Sequence, residues 1–328
     1  MNPFPYAPFP LDDAQRAGLL SVTFDTPLGP VRVHHSPVHD SDVATVLLHG
    51  AAGSWTTWTP LLRAASDAGS PLRDVVAIDL PGWAGSPGPS IRSHLTLDSL
   101  AEVVWQIALV RLGYERLDVT GHSLGGFIAL HLAATRPEKV VAVRLVSATT
   151  SAVLAGARHP MRTLRAVPGF AMLLGVFRVL RMLGSAESSI VRLVRRAGLL
   201  PLAVAPLFSH ARRVPRSVID ALADEVRPDS FVRGVEQVDR YPVERRWPAV
   251  SCAVWAIRGD SDVFVPRGDL TDLLRWIPRA TLAEIADCGH FAHIERPYEA
   301  LLGLGLTDDC GQTLQTKAPP TADAVGGA

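Results

Sequence analysis

The stretch Leu117-Asp-Val-Thr-Gly-His-Ser-Leu-Gly-Gly-Phe127 places a serine between two glycines at the junction of two patterns. A β-prone run ends at Thr120, and a run compatible with a helix begins near Phe127. A serine at such a junction lies in a sharp turn that leaves no space for side chains two residues away, so glycine is needed at positions 121 and 125. The pattern predicts a strained backbone at Ser123 and an exposed hydroxyl at the end of the strand.

Apolar runs that could be buried on both faces recur on either side of this stretch and alternate with helical patterns. Two β-prone runs, 19–25 and 31–35, flank a Pro-Leu-Gly-Pro turn and predict a hairpin. Thr96 is predicted to cap a helix. The alternation predicts an α/β fold with a mostly parallel sheet. The remaining predicted strands are 44–48, 75–80, 117–120, 140–146, 253–258 and 281–285, with a helix at 269–277 between the last two.

One segment interrupts the alternation. Between Ser151 and Arg216 the chain has eleven arginines, no lysine and one acidic residue, Glu187. No convincing strand occurs up to residue 246, only basic and apolar residues at helical spacing. We therefore predict an α/β core of 19–150 and 246–305, a helical cap of 151–245 over the carboxyl edge of the sheet, and a disordered tail of 306–328.

Composition argues against several classes of protein. No apolar run reaches the roughly 18 residues of a membrane span, and a formal net charge of zero argues against a general nucleic-acid binder. The cysteines at 252, 288 and 310 are too few and scattered for a disulfide framework or a metal site. Residues 1–11 carry no basic residue, which argues against a secretory signal and favours a cytoplasmic location.

A nucleophilic serine needs a base to accept its proton, and the base needs a carboxylate to orient it. Parallel sheets gather functional groups at the carboxyl ends of their strands. One predicted strand is followed by Gly259-Asp-Ser-Asp262, and the next is followed by a loop containing His290 and His293. Two aspartates and two histidines are therefore candidates.

With these motifs the chain resembles the α/β-hydrolase superfamily, and the order serine, aspartate, histidine is that of its catalytic triad. The resemblance implies that Ser123 is the nucleophile, His290 the general base and Asp262 its orienting acid. It further implies that the backbone amides of Ala51 and Leu124 form the oxyanion hole, and that no cofactor or metal takes part. The matching motifs extend over about 20–305: His49-Gly50, Asp79–Ser86, Gly121–Gly126, Gly259–Asp262 with Pro266, and Gly289-His290 with Glu295 and Pro297.

Several alternatives stay open. His293 is a rival base, and Asp260 is a rival acid that could instead cap a turn. We expect His49 and His122 to support the neighbouring loop and turn. A last set of side chains lies in loops beside the predicted site and could either line the acyl pocket or only pack: Trp55, Trp58 and Trp83.

Residue types narrow the reaction that the resemblance allows. Serine at position 123 excludes the relatives with an aspartate nucleophile, namely haloalkane dehalogenases and epoxide hydrolases. The favoured function is a capped serine hydrolase that cleaves a carboxylic ester or similar acyl bond of a small molecule. The alternatives are a hydrolase of carbon–carbon bonds in diketone-like substrates and a non-catalytic ligand-binding member. The basic cap predicts weak contact with an anionic membrane surface, and the sequence leaves the oligomeric state open.

Overall fold

A computed structural model describes residues 8–91, 94–148, 168–184, 187–199, 204–239 and 241–307, together with Tyr6 and Leu202. Its strands are β1 (Leu20–Thr26), β2 (Gly29–His35), β3 (Val43–Leu48), β4 (Val75–Ile78), β5 (Arg116–His122), β6 (Val140–Val146), β7 (Ala253–Gly259) and β8 (Thr281–Ile285). They form one sheet in the order β1-β2-β4-β3-β5-β6-β7-β8. All pairs from β4 to β8 are parallel, whereas β1 with β2 and β2 with β4 are antiparallel. The predicted α/β class is confirmed.

The parallel strands end together at one edge of the sheet. Leu48 at the end of β3 pairs with Gly121 of β5, and His122 pairs with Val146 at the end of β6. On the far side, Gly259 at the end of β7 pairs with Ile285 at the end of β8. Because the loops that follow these strands leave from the same edge, residues far apart in sequence can meet there.

The hairpin predicted at the start of the chain is confirmed. The two strands pair antiparallel from Leu20↔His35 to Thr26↔Gly29. Gly29 has a φ of 98°, a conformation in which glycine is favoured because it has no Cβ. Both strands differ from their predicted limits by one or two residues at their ends, where sequence patterns are least specific.

The helices are α1 (Thr59–Asp67), α2 (Leu97–Trp105), α3 (Leu124–Thr135), α4 (Pro168–Met182), α5 (Glu187–Arg196), α6 (Arg216–Asp224), α7 (Pro228–Asp239), α8 (Val243–Arg246), α9 (Arg267–Leu273), α10 (Ala292–Glu295) and α11 (Pro297–Gly303). The predicted cap at Thr96 is confirmed, since its hydroxyl accepts from the amide of Ser99 at 3.1 Å. In return, the amide of Thr96 donates to the Ser99 hydroxyl at 2.8 Å. Helix α9 lies earlier than its predicted range of 269–277 and ends at Leu273.

Helices α4 to α8 occupy the chain between β6 and β7, and the described residues of this insert contain no strand. Within it, α4 packs on α7 through an apolar cluster that includes Phe170, Leu174, Phe177 and Phe231. Residues 151–167, 185–186, 200–201, 203 and 240 of the predicted cap and 308–328 of the predicted tail lie outside the described residues. The division into core, cap and tail therefore stays a prediction. Over the ranges described, no helix combines the length and apolarity needed to cross a bilayer.

Candidate active site

Ser123 occupies the turn between β5 and α3 with φ 49° and ψ −114°, which is a left-handed conformation that residues other than glycine rarely adopt. Its amide donates to the carbonyl oxygen of Val146 at 3.0 Å. A Cβ at Gly121 would lie 2.4 Å from the carbonyl carbon of Gly125, and a Cβ at Gly125 would lie 2.1 Å from the carbonyl oxygen of Leu48. The strain predicted at position 123 and the need for both glycines are confirmed.

His290 is paired with Asp262. Its Nδ1 lies 3.0 Å from Oδ1 and 3.1 Å from Oδ2 of the aspartate, and both residues are buried. The carboxylate also accepts the backbone amides of Phe264 at 2.8 Å and Val265 at 3.1 Å. An ionised carboxylate only accepts hydrogen bonds, so Nδ1 carries the proton and Nε2 is left as the basic nitrogen of a neutral ring.

The environment keeps Asp262 ionised. Burial alone would raise the pKa of this carboxyl, but the electrostatic attraction to His290 and the hydrogen bond from its ring act in the opposite direction, assisted by the amide of Phe264. The net result is a pKa below the ordinary value for aspartate. Asp262 can therefore orient the imidazole and stabilise its protonated form.

His122 connects the loop that carries His290 to the turn that carries Ser123. Its Nε2–H donates to the carbonyl oxygen of His290 at 3.1 Å, and the two rings lie 4.8 Å apart. The structural role predicted for His122 is confirmed.

Among the side-chain contacts of the described residues, no hydrogen bond joins Ser123 Oγ to His290. Such bonds are often long in unliganded enzymes and tighten when substrate binds.

The rival acid, Asp260, has a different set of partners. Its carboxylate accepts the amides of Asp287 at 2.9 Å and Cys288 at 3.2 Å, and its side chain is exposed. Its slight burial would raise the pKa, but these two amide donors outweigh that effect and lower it. Asp260 therefore braces the loop just before His290 rather than the imidazole itself.

The rival base, His293, lies in an aromatic cluster instead of beside a carboxylate. Its ring is 4.4 Å from that of Trp58 and 4.7 Å from that of His122. Neither ring nitrogen has a hydrogen-bond partner among the described residues, and burial lowers the pKa to about 3. This histidine is neutral and belongs to the packing around the site.

The loop after β3 is tied down by two side chains. His49 donates from Nδ1 to the carbonyl oxygen of Gly50 at 2.7 Å and accepts the amide of Leu80 at Nε2 at 3.0 Å. Burial lowers the pKa of His49 to about 4, so the ring stays neutral. Trp83 donates from its indole nitrogen to the carbonyl oxygen of Ala51 at 2.7 Å. The supporting role predicted for His49 is confirmed.

Ala51 and Leu124 border the same cavity as Ser123. Leu124 is the first residue of α3, and the first amides of a helix have no partner within the helix. A Cβ at Gly50 would lie 3.2 Å from the Cβ of Ser123, so the loop preceding Ala51 runs directly beside the serine. Both residues whose amides were predicted to form an oxyanion hole are thus brought next to the predicted nucleophile.

The three tryptophans considered as pocket residues lie in the core. Trp58 and Trp83 have at most 1% of their surface exposed, and Trp55 has 6%. Trp55 stacks on His34 with ring centroids 4.0 Å apart. None of the three lines the cavity beside Ser123. The pocket role finds no support, because the loops after β3 and β4 turn these side chains into the packing against the sheet.

The cavity beside Ser123 has a volume of about 30 Å³ and is bordered on one side by the insert. Ser123 supplies the one polar side chain among the described lining residues, and none of these is charged. Apart from Ala51, Ser123 and Leu124, the lining comes from α4 and α7: Phe170, Phe231, Gly234, Val235 and Val238. Within the described ranges, no cluster of three or more histidine, cysteine or acidic side chains could hold a metal ion.

The sequence motifs include Glu295 but do not reveal what it does. Its fully buried carboxylate accepts the amide of Gly289 at 2.8 Å, the amide of Ser209 at 2.8 Å and the hydroxyl of Tyr6 at 2.9 Å. Glu295 thereby joins the loop carrying His290 to the insert and to the start of the chain. Burial raises the pKa of Glu295 above its ordinary value. No local sequence signal could have identified partners up to 289 positions away.

Comparison with known proteins agrees with this geometry. A profile described as "Alpha/beta hydrolase family" matches residues 45–304. The chain is 29% identical over 252 residues to the magnesium-chelatase 30 kDa subunit of Rhodobacter capsulatus, covering 76% of this chain and 80% of that protein. It is 25% identical over 279 residues to 2-hydroxy-6-oxononadienedioate/2-hydroxy-6-oxononatrienedioate hydrolase 2 of Pseudomonas putida, covering 83% and 90%.

Among solved structures, an esterase from Thermogutta terrifontis has the same fold, with a TM-score of 0.61 at 18% identity over 88% of this chain and 97% of that one. The profile match extends over most of the chain, and the sheet order, the strained serine turn and the paired His290 and Asp262 all agree with it. The chain belongs to the alpha/beta hydrolase family and is a hydrolase.

Proposed function

We propose that this protein is a serine hydrolase that cleaves a carboxylic ester or similar acyl bond through a covalent acyl-enzyme. The observation that carries the proposal is the position of Ser123, held in a strained turn at the wall of an apolar cavity. The paired His290 and Asp262 lie on the adjoining loops. A strained serine at the wall of a cavity, served by an oriented imidazole from an adjoining loop, is the arrangement that nucleophilic catalysis requires.

In the proposed reaction, Ser123 Oγ attacks the acyl carbon while Nε2 of His290 takes the hydroxyl proton. The amides of Ala51 and Leu124 stabilise the negative oxygen that forms, and each such donor contributes roughly 3 kcal/mol in other enzymes. His290 then passes the proton to the departing alcohol. Water attacks the acyl-enzyme with the same base, which releases the acid and restores Ser123. Throughout, the ionised Asp262 stabilises the imidazolium.

The lining of the cavity supports an uncharged, apolar substituent near the reacting carbon. Its described lining consists of phenylalanine, valine, leucine, alanine and glycine residues around the serine. The Pseudomonas putida relative is named for a dicarboxylate substrate, and a buried carboxylate would need a cationic or hydrogen-bonding partner. Because no lining residue in the described ranges is charged, an ester is favoured over a diketone-like acid.

A substrate panel tests this proposal. Purified protein is assayed with p-nitrophenyl esters of increasing acyl length and with a vinylogous diketone acid. The apolar pocket predicts that kcat/KM rises about fourfold for each added methylene that the cavity can bury, by roughly 0.8 kcal/mol each, and that the diketone acid is the poorer substrate. Turnover of the diketone acid alone would favour carbon–carbon cleavage. If the protein turned over none of these substrates and did not react with a fluorophosphonate, it would be a non-catalytic member of the family.

A further inference from the structure

Exposed apolar side chains are concentrated in the insert. Of the 14 large apolar side chains that are exposed among the described residues, eight fall between 172 and 202. A contiguous exposed apolar surface on a folded protein marks a site of interaction more often than single scattered residues do. The eight are Met172, Val176, Val179, Met182, Leu183, Leu193, Leu199 and Leu202.

Helix α4 is apolar on two faces. Its inner face packs on α7 through Phe170, Leu174 and Phe177, each of which is at most 7% exposed. Its outer stripe, defined as Met172, Val176 and Val179, repeats at spacings of four and three residues and is 65%, 50% and 58% exposed. A surface helix normally has polar residues on its outer side, and a helix that is apolar all round is normally covered.

The charge around the outer stripe indicates what covers it. Residues 168–199 contain five arginines, no lysine and one acidic residue, Glu187. Arg178, Arg192 and Arg196 are exposed, whereas Arg181 lies 3.5 Å from Asp229 and 3.2 Å from Glu236. A second copy of this chain would bring the same positive charge against itself. An anionic lipid surface, in contrast, attracts arginine and accepts apolar side chains beneath its headgroups.

We propose that α4 and α5 dock on an anionic membrane surface, with the outer stripe entering the headgroup region and the arginines contacting lipid phosphates. The opposite face of α4 supplies Phe170 to the cavity beside Ser123, so docking places that cavity one helix away from the bilayer. An ester dissolved in the membrane is then the natural substrate class. This last step rests on the proposed function, whereas docking itself does not.

The test is co-sedimentation of the full chain with vesicles of phosphatidylcholine alone or mixed with phosphatidylglycerol, in low salt and without substrate. We expect binding to the anionic vesicles only, and we expect it to weaken at about 0.5 M salt, where charges are screened within about 4 Å. Binding no stronger than to the neutral vesicles would overturn the proposal. Because no turnover is measured, failure here is distinguishable from failure of the catalytic assignment.

Two pairs of variants, each consisting of a test and a control, show which surface of the protein binds the vesicles. Replacing all three residues of the outer stripe by serine should weaken binding at least tenfold, since apolar area no longer leaves water. Val38→Ser combined with Val110→Ser removes side chains that are 59% and 75% exposed outside the insert, and should change nothing. Equal losses in both variants would contradict docking through α4.

The second pair concerns charge. Arg192→Gln with Arg196→Gln should weaken binding about 30-fold, at roughly fivefold for each arginine near an anionic surface. The control, Arg16→Gln with Arg73→Gln, removes two exposed arginines outside the insert and should have no effect. Sedimentation velocity without lipid completes the test. A dimer that dissociates when the outer stripe is replaced would show that this face binds a second copy, and the membrane proposal would be wrong.

Discussion

The loop that carries His290 and helix α4, which lines the cavity beside Ser123, are held by different interactions. Every amide from 287 to 290 has an acceptor from another part of the chain: those of Asp287 and Cys288 donate to Asp260, that of Gly289 to Glu295, and that of His290 to the carbonyl oxygen of Leu207 at 2.8 Å. Directional bonds of this kind hold the base in one position.

Helix α4 is held mainly by apolar contact with α7 and by the ion pairs of Arg181, whose side chain is 34% exposed. Dispersion and hydrophobic contacts have little directional preference, and partly exposed ion pairs contribute little to stability. The catalytic groups therefore need a fixed geometry, whereas the helix that lines the cavity needs only a complementary shape and an apolar surface. Changes in the loop should alter kcat, and changes in α4 should alter substrate binding.

The largest effect should follow replacement of the nucleophile. Ser123→Ala should lower kcat by on the order of 10⁴ to 10⁶, as in other serine hydrolases, because no atom is left to form the acyl-enzyme. The fold should persist, since a small side chain still fits the turn. Ester hydrolysis by the purified variant measures this, with thermal unfolding as the control. Activity above about a tenth of the original would assign the nucleophile to another residue.

The next largest effect separates the two aspartates that follow β7. Asp262→Asn should lower kcat by about 10⁴, because the amide no longer fixes the tautomer of His290. Asp260→Asn should reduce kcat only a few-fold, since it braces a loop that Glu295 also holds. Steady-state kinetics of both variants on one ester decide the point. The reverse ranking would transfer the role of the acid to Asp260.

The stability of the protein should fall in mild acid. Burial lowers the pKa of His34 and His49 to about 4 and of His293 to about 3, and that of His122 falls well below its ordinary value. The unfolded chain binds protons at these histidines below pH 6.5, but the folded chain does not. Stability is therefore present above pH 6.5 and is lost as the pH falls towards 4.

At pH 5.5 each of the four histidines should remove about 1.4 kcal/mol. Burial raises the pKa of Asp79 to about 6, so its protonation in the folded state opposes this loss by roughly 1 kcal/mol. Urea unfolding should give a free energy about 4.6 kcal/mol lower at pH 5.5 than at pH 7.5. The difference should shrink by about 1.4 kcal/mol in His293→Asn. Equal stability at the two pH values would show that the histidines titrate alike in both states.

The direct comparison of loop and helix uses Glu295→Gln and Phe170→Ala. Glu295→Gln replaces an acceptor of three hydrogen bonds by a group that can accept at only one of its two positions. It should lower kcat about tenfold or more with little change in KM, since the loss of one buried hydrogen bond that positions the His290 loop costs about 1–3 kcal/mol.

Phe170→Ala should do the opposite, because this side chain lines the cavity and packs in the apolar cluster between α4 and α7. We expect KM to rise about tenfold for a long-chain ester, as roughly 1.5 kcal/mol of apolar contact is lost, and kcat to change less than threefold. Full kinetics of both variants on the same ester measure the split. If both variants mainly changed kcat, the distinction between the two regions would be wrong.

Much of the fold could be predicted because it follows local patterns. The limits of β6 and β8 were predicted to the residue, since both β-prone runs end abruptly at polar or glycine-containing loops. The turn at Ser123 was predictable for a similar reason, because only glycine fits at positions 121 and 125. In each case a short sequence pattern carries the information.

The rest depends on contacts between distant parts of the chain. Nothing near Trp83 indicates that its indole reaches Ala51, and nothing near Tyr6 points to Glu295. The sequence placed Trp55 and Trp58 beside the site but could not say which way their loop turns, and both pack in the core. The outer stripe of α4 was likewise hidden, because the sequence does not reveal which of two apolar faces lies inward.

The central claim, that Ser123 forms a covalent intermediate, is tested most directly by mass spectrometry after reaction with a fluorophosphonate. We expect the intact protein to gain one phosphonyl group, peptide mapping to place it on Ser123, and Ser123→Ala to gain none. The Asp262→Asn protein should react far more slowly, because its base is misoriented. A group found on another residue, or no gain by the unmodified protein while it still hydrolyses esters, would contradict the account.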